Sequence, residues 1–254
     1  MKKLLHCAGW LCAAMFMLAG RASADDVNTH TYPIDARAVR VKLDGVIDLK
    51  LRQGAVPSLT ITGDPGVLAG VTAVQSGDTL HLDTETHGFK FNRSSARAEL
   101  VLPMLREVVS DGVGTTDVSG FSGDELELTL EGAGTIKVTA DYKKLKANLG
   151  GVGSMNIWIS ENEMADLDLR GAGYITLGGH TKLLRATLGG LGSLNAQQCQ
   201  ADGVNLELSG LGNATVTAKD SATLNLSGLG SVTVYGKPAN RNVSVDGLGK
   251  VTWK

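Results

Sequence analysis

Asp111, Glu131 and Arg170 each stand one residue ahead of a Gly-x-Gly motif, and Gly150 holds the equivalent place between Glu131 and Arg170. Carboxylates in line with a guanidinium suit acid and base work on a glycosidic chain, as in polysaccharide lyases and hydrolases built on β-helices. The same column is also what a solvated face of a repeat protein looks like. A carbohydrate-active lyase or hydrolase is therefore carried as the alternative reading, and no catalytic residue is assigned. His30, His81, His87 and His180 lack the spacing of metal ligands, and no serine sits in a Gly-x-Ser-x-Gly elbow. Gly230 to Gly236-Lys237 has five residues between the glycines and is followed by Pro238, so no phosphate loop is written. The Gly-x-Gly copies lack the third glycine of a dinucleotide site. A calcium-binding roll needs a nine-residue period and an aspartate after the glycines, whereas here Thr115, Thr135, Ser154, Tyr174, Ser193, Asn213, Ser231 and Lys250 follow them. Neither metal nor cofactor is expected.

The chain has 254 residues and a formal charge of −2. Lys2 and Lys3, the apolar run Leu4 to Leu18 and the small-residue site Ala22-Ser23-Ala24 read as a signal peptide over residues 1–24. Arg21 stands where a lipid-bearing cysteine would be needed, which argues against lipid attachment. Without Lys2, Lys3 and Arg21 the formal charge falls from −2 to −5, which offers nucleic acid no footing. No later stretch is apolar enough to span a membrane. Cys7 and Cys12 leave with the leader, so an exported chain keeps Cys199 alone and has no internal disulfide. Cys199 reads as an unpaired thiol, with pairing between chains as the other reading.

What positions these residues is a repeat. The corner glycines are Gly112 and Gly114, Gly132 and Gly134, Gly151 and Gly153, Gly171 and Gly173, Gly190 and Gly192, Gly210 and Gly212, Gly228 and Gly230, Gly247 and Gly249. Successive first glycines lie 18 to 20 residues apart. Two and four residues before each, and four and six after, the chain is apolar except at Ser110 and Thr116; Leu130, Leu149, Leu169 and Leu188 form one such column. Polar residues fill the places between. A period of two on both sides of a glycine pair means short half-buried strands, and strands this short bury their apolar face only by stacking on the next copy.

The expected fold is all-β, a right-handed, single-stranded parallel β-helix with coils of about 19–20 residues. Eight coils at a strand spacing of about 4.8 Å give a rod of about 35–40 Å. The glycines are expected to be structural, needed for positive φ or close backbone approach, with the residue between them pointing inward. Residues 25–254 read as one domain: irregular first coils and a cap over 25–107, then eight regular coils over 108–254. Asp64-Pro65-Gly66 suggests a turn or one short helix. Near Trp253 the reading divides between an aromatic lid and an open strand edge that would support an end-to-end homo-oligomer. Asp117, Lys137, Asn156, Thr176, Asn195, Thr215, Thr233 and Thr252 make a flat, aromatic-poor polar wall, a poor small-molecule pocket suited either to weak, repeated contacts with an extended partner or to plain solubility.

Val39-Arg40-Val41 through Leu51 with Gln53-Gly54, Ile61-Thr62-Gly63-Asp64, Gly77-Asp78-Thr79-Leu80-His81-Leu82 and the repeated Leu-x-Gly-x-Gly coils resemble the bacterial autotransporter-adhesin head, or GIN, domain family over roughly residues 35–250. The resemblance implies an exported, β-helical, non-enzymatic envelope or surface protein, periplasmic or extracellular, of adhesin type. It carries over no binding residues. The sequence departs from an autotransporter in having no membrane barrel written after the coils.

Overall fold

The structure, a computed structural model, describes residues 28–84 and 96–254; the leader and His87 lie outside the described residues. About 75% of the described residues are strand and 2% helix, wound as stacked parallel coils into a β-solenoid of about 7 turns. The repeat appears as the long strands Val113–Leu130, Ala133–Leu149, Val152–Leu169, Ala172–Leu188, Ser193–Leu208 and Asn213–Leu226, followed by Ser231–Tyr235, Asn240–Val245 and Lys250–Trp253. Each long strand pairs with the next at a shift of one repeat. Ile136 lies on Met155, Ile157 on Leu177, and Leu130, Leu149, Leu169 and Leu188 stack in one line. All eight of these side chains are buried, as are the polar exceptions Ser110 and Thr116. Burying side chains of this size stabilises by roughly 1.5–3 kcal/mol apiece before entropy is counted, so the columns are the main support of the fold.

Each coil has two outer faces joined at the glycine corner. The strand before the glycines forms the inbound face and the strand after them the outbound face. At the corner the stack is backbone on backbone. A Cβ at Gly151 would fall on the carbonyl oxygen of Gly132, and one at Gly171 on that of Gly151. Close approach is what this corner demands of its residues, and at Gly114 and Gly153 a positive φ of 151° and 159° adds to it.

The residue between the glycines points outward, contrary to the sequence expectation. Leu191 is 63% exposed and Leu248 85%, and Val113, Val152, Leu211 and Leu229 are exposed too. The reason is parity. Even positions counted from the first glycine face the interior on both sides of the corner, alternation continues through it, and the middle residue is odd.

The second bend of each coil is less regular. Pairing shifts register between Thr139 and Asp141, between Ala140 and Lys144, and between Ile159 and Asn162. Its interior holds a polar ladder instead of an aliphatic one. The Tyr142 hydroxyl donates to the Leu105 carbonyl at 2.7 Å, Asn162 Nδ2 donates to the Tyr142 carbonyl at 2.8 Å, and Thr181 Oγ1 donates to Asn162 Oδ1 at 2.9 Å. Burial pushes the Tyr142 phenol above its ordinary range. Cys199 is fully buried nearby in the chain, and burial raises its thiol to about 12.

Before the regular coils, chain order and spatial order part. The coil made by Arg40–Leu43 and Ile47–Gln53 lies between that of Thr79–Thr84 and Ala96–Leu102 and that of Glu107–Ser110 and the start of Val113–Leu130. Beyond it, Ser58–Gly63 pairs antiparallel with Ala96–Leu102, Asn28–Tyr32 antiparallel with Ser58–Gly63, and Val71–Ser76 antiparallel with Thr79–Thr84. These reversals interrupt the parallel register and finish that end of the stack. The single helical turn Pro65–Leu68 opens on proline, whose missing N–H is not needed there, and buries Leu68. At the opposite end Trp253 packs against the core, with the Arg241 guanidinium 4.4 Å from its ring centroid.

Candidate functional site

The inbound face is charged and paired. Glu107, Glu127, Lys146, Asp166 and Arg185 occupy one outward column in register. Lys146 Nζ lies 2.7 Å from Glu127 and Arg185 Nη1 3.9 Å from Asp166. The hydrogen bond to Glu127 holds Lys146 above its ordinary pKa. Next to this ladder is a shallow cleft of about 460 Å³ lined by Thr129, Glu131, Lys146, Asn148, Leu149, Gly150, Asp168 and Arg170. It exists because Gly150 has no side chain between two long ones. The cleft thus joins Glu131, Gly150 and Arg170, while Asp111, one coil before Glu131, is not part of its lining. Arg170 is held by Asp168 at 2.8 Å, and Asn148 Nδ2 donates to Glu127 at 3.2 Å.

The outbound face differs in kind. From the third regular coil to the seventh its two outward columns run Ser154, Tyr174, Ser193, Asn213, Ser231 and Asn156, Thr176, Asn195, Thr215, Thr233, all in register and none charged. Asp117 and Lys137 lie in the coils before this stretch. The face is not aromatic-poor, as the sequence had suggested. Trp158 is 49% exposed and Tyr174 40%, on adjacent coils. Gly178 pairs opposite Trp158, and a Cβ there would collide with the indole ring, which covers the glycine and leaves it buried. Trp158 and Gly178 fall at the same place in consecutive repeats, seven residues after the first glycine. An outward parity position holding tryptophan was the mark by which the sequence could have shown this site.

The outer side of the second bend carries a line of ion pairs. Lys143 meets Asp124 at 2.7 Å, Glu161 and Asp202 lie 2.9 and 3.7 Å from the two nitrogens of His180, and Lys219 meets Asp202 at 3.5 Å. Because the carboxylates address opposite ring nitrogens of His180, they do not converge on one point. His30 lies on the strand Asn28–Tyr32 and His81 on Thr79–Thr84, in different parts of the first coils. Among the described residues no group of three or more His, Cys, Asp or Glu side chains is arranged to hold a metal ion, and no helix is long and apolar enough to cross a membrane.

The family model described as "Putative auto-transporter adhesin, head GIN domain" matches residues 39–160 and 148–238. The chain belongs to this family. Among solved structures, a protein described as a putative adhesin from Parabacteroides distasonis is 21% identical, with a TM-score of 0.81 over 90% of this chain and 97% of that one. One so described from Parabacteroides merdae is 22% identical, with a TM-score of 0.79 over 91% and 97%. A third, described as a putative lipid binding protein from Parabacteroides distasonis, is 20% identical, with a TM-score of 0.76 over 90% and 97%. At these identities the likeness establishes that the GIN fold is shared along nearly the whole length. No curated protein matches the chain.

Proposed function

We propose that this GIN-family chain is an exported, non-enzymatic module of the bacterial cell envelope, periplasmic or surface-exposed, that holds an extended partner along its flat outer faces. The observation that carries the reading is the in-register outbound face, which from the third regular coil to the seventh repeats Ser, Thr and Asn in all but one of its outward places and offers a long partner similar contacts many times. On this reading residues 1–24 are the leader, 25–254 are one domain, and the corner glycines serve coil packing rather than a ligand. Fractionation of cells expressing the full chain, with mass spectrometry of its N-terminus, is expected to find it outside the cytoplasm and beginning at Asp25. The purified chain is expected to be retained by isolated envelopes. Cytoplasmic retention with Met1 intact would contradict the export, and loss of retention to envelopes would contradict the binding.

The second reading, a carbohydrate-active enzyme, rests on the inbound cleft, where Glu131 and Asp168 face Lys146 and Arg170. Against it, both cations are already engaged by neighbouring carboxylates, so they are committed to the ladder rather than to a substrate. A fall in polysaccharide chain length on incubation with the protein would establish the enzyme; unchanged length supports the binding module.

A further inference from the structure

We infer that the outbound face around Trp158 and Tyr174 is a binding strip for an uncharged polysaccharide; this rests on, and narrows, the reading of the chain as a binding module. The first ground is exposure. Trp158 and Tyr174 stand half out of the face beside the small outward groups Ser154, Asn156 and Thr176, at 49% and 40% exposure. Chains of sugar rings present apolar C–H faces bordered by hydroxyls, and they are held by aromatic faces flanked by amides and hydroxyls. Here Asn156 and Thr176, paired with each other, lie along the strands between Trp158 on one side and Tyr174 on the other.

The second ground is how the tryptophan is seated. Its ring fills the space above Gly178, where any side chain would displace it, so the indole is braced by the next coil before a ligand arrives. The third ground is charge. In a chain of which 20% is charged, the ten positions of these two columns between Ser154 and Thr233 carry none, with Lys137 one coil before Asn156 as the nearest charge in the column, while the inbound face of the same coils carries Asp166, Asp168, Arg185 and Glu207. A neutral polymer matches such a strip, since from the third coil to the seventh these columns hold no charge to compensate the desolvation of an anionic or cationic one.

The spacing is compatible. Tyr174 pairs with Ser154, four residues along the strand from Trp158, which puts the two backbone positions about 13 Å apart along the strands, and the Trp158 ring leans over Gly178 onto the coil that carries Tyr174. A short run of pyranose rings crossing the coils obliquely would meet both aromatics and pass over Asn156 and Thr176.

Affinity gel electrophoresis of the exported chain through a soluble β-glucan, glycol chitin or galactomannan tests this, with alginate and heparin as anionic counterparts and isolated envelopes and intact cells as separate binding assays. At least one neutral polymer is expected to retard the protein. Trp158→Ala should weaken that retardation about tenfold or more and Tyr174→Ala less, both with an unchanged melting temperature. Gly178→Val, which lifts the ring, should weaken it with Trp158 still present. No retardation by any neutral polymer, retardation indifferent to Trp158→Ala and Tyr174→Ala, or binding confined to the anionic polymers would each overturn the inference. If envelopes or cells still retain the chain in those cases, the binding-module reading survives; if they too fail to retain it, both fall.

Discussion

The two outer faces of one coil are built from the same repeat, with the same inward columns and the same alternation, yet they differ in what they show to water. On the inbound face charges of opposite sign are stacked a coil apart, Glu127 under Lys146 and Asp166 under Arg185, and the ion pairs run parallel to the solenoid axis. On the outbound face Ser, Thr and Asn recur, with aromatic rings among them. The core columns decide whether a coil stacks. The outward positions have little effect on folding, because exposed pairs contribute at most about 1 kcal/mol and often nothing. That leaves each face free to be shaped by what it meets. An uncharged stretch five coils long on a chain otherwise rich in charge is a composition that packing does not explain.

The largest way to break the comparison is to destroy the corner that holds both faces. Gly190→Val would put a side chain onto the carbonyl oxygen of Gly171, whereas at Gly189, one residue earlier, the nearest atom to an added Cβ is Ser209 Oγ at 3.7 Å. Urea unfolding is expected to show Gly190→Val destabilised by about 3 kcal/mol or more, or unable to fold, and Gly189→Ala within about 0.5 kcal/mol of the parent. Similar losses at both would mean that the corner is not packed backbone to backbone.

A smaller loss is expected at the second bend. Asn162→Leu removes the donor to the Tyr142 carbonyl and the acceptor for Thr181 in a site closed to water, which costs about 1–3 kcal/mol. Thr176→Ala on the outbound face, where the hydroxyl meets solvent, should cost much less in the same assay.

The charged surfaces answer to pH and the outbound face does not. Asp124 has its pKa lowered by the Lys143 hydrogen bond, and the Arg37 side chain holds Asp35 well below the ordinary carboxylate range. A carboxylate with a depressed folded pKa contributes stability that is present above its unfolded value and is lost as pH falls through the folded one. Melting temperatures should therefore decline from the ordinary carboxylate range downward, and Asp124→Asn should flatten part of that decline while leaving neutral-pH polysaccharide binding unchanged. An equally steep decline in the variant would remove the pair from the account.

The smallest effect concerns Cys199. Its thiol is buried and raised to about 12, so it should not react with a disulfide reagent at neutral pH until urea unfolds the chain, and reductant should leave the oligomeric state alone. Rapid labelling of the folded protein would place Cys199 at the surface.

The fold was legible in the sequence wherever a physical constraint repeated. Inward columns must be apolar in every coil, and glycine pairs must recur where backbones touch, so both left a period. The middle residue of the corner was misread as inward although the same parity rule, carried through Gly190-Leu191-Gly192, sends Leu191 out. The first coils were harder, because the antiparallel strands Ser58–Gly63 and Val71–Ser76 interrupt the chain between parallel ones, and the coil of Arg40–Leu43 and Ile47–Gln53 lies between that of Thr79–Thr84 and Ala96–Leu102 and the regular coils. Of the site, the inbound trio Glu131, Gly150 and Arg170 was legible because all three share one column. Trp158 over Gly178 left no period to read, because it depends on two particular residues meeting across coils.

The central claim is that the repeats stack in register so that the outbound columns run straight up one face. Spin labels on Asn156→Cys and Thr233→Cys, in a Cys199→Ala background, sit in one column four coils apart. Electron–electron double resonance should give a single narrow distribution consistent with backbones about 19 Å apart. A broad distribution, or a separation far longer than label linkers allow, would show that the coils do not stack in this register.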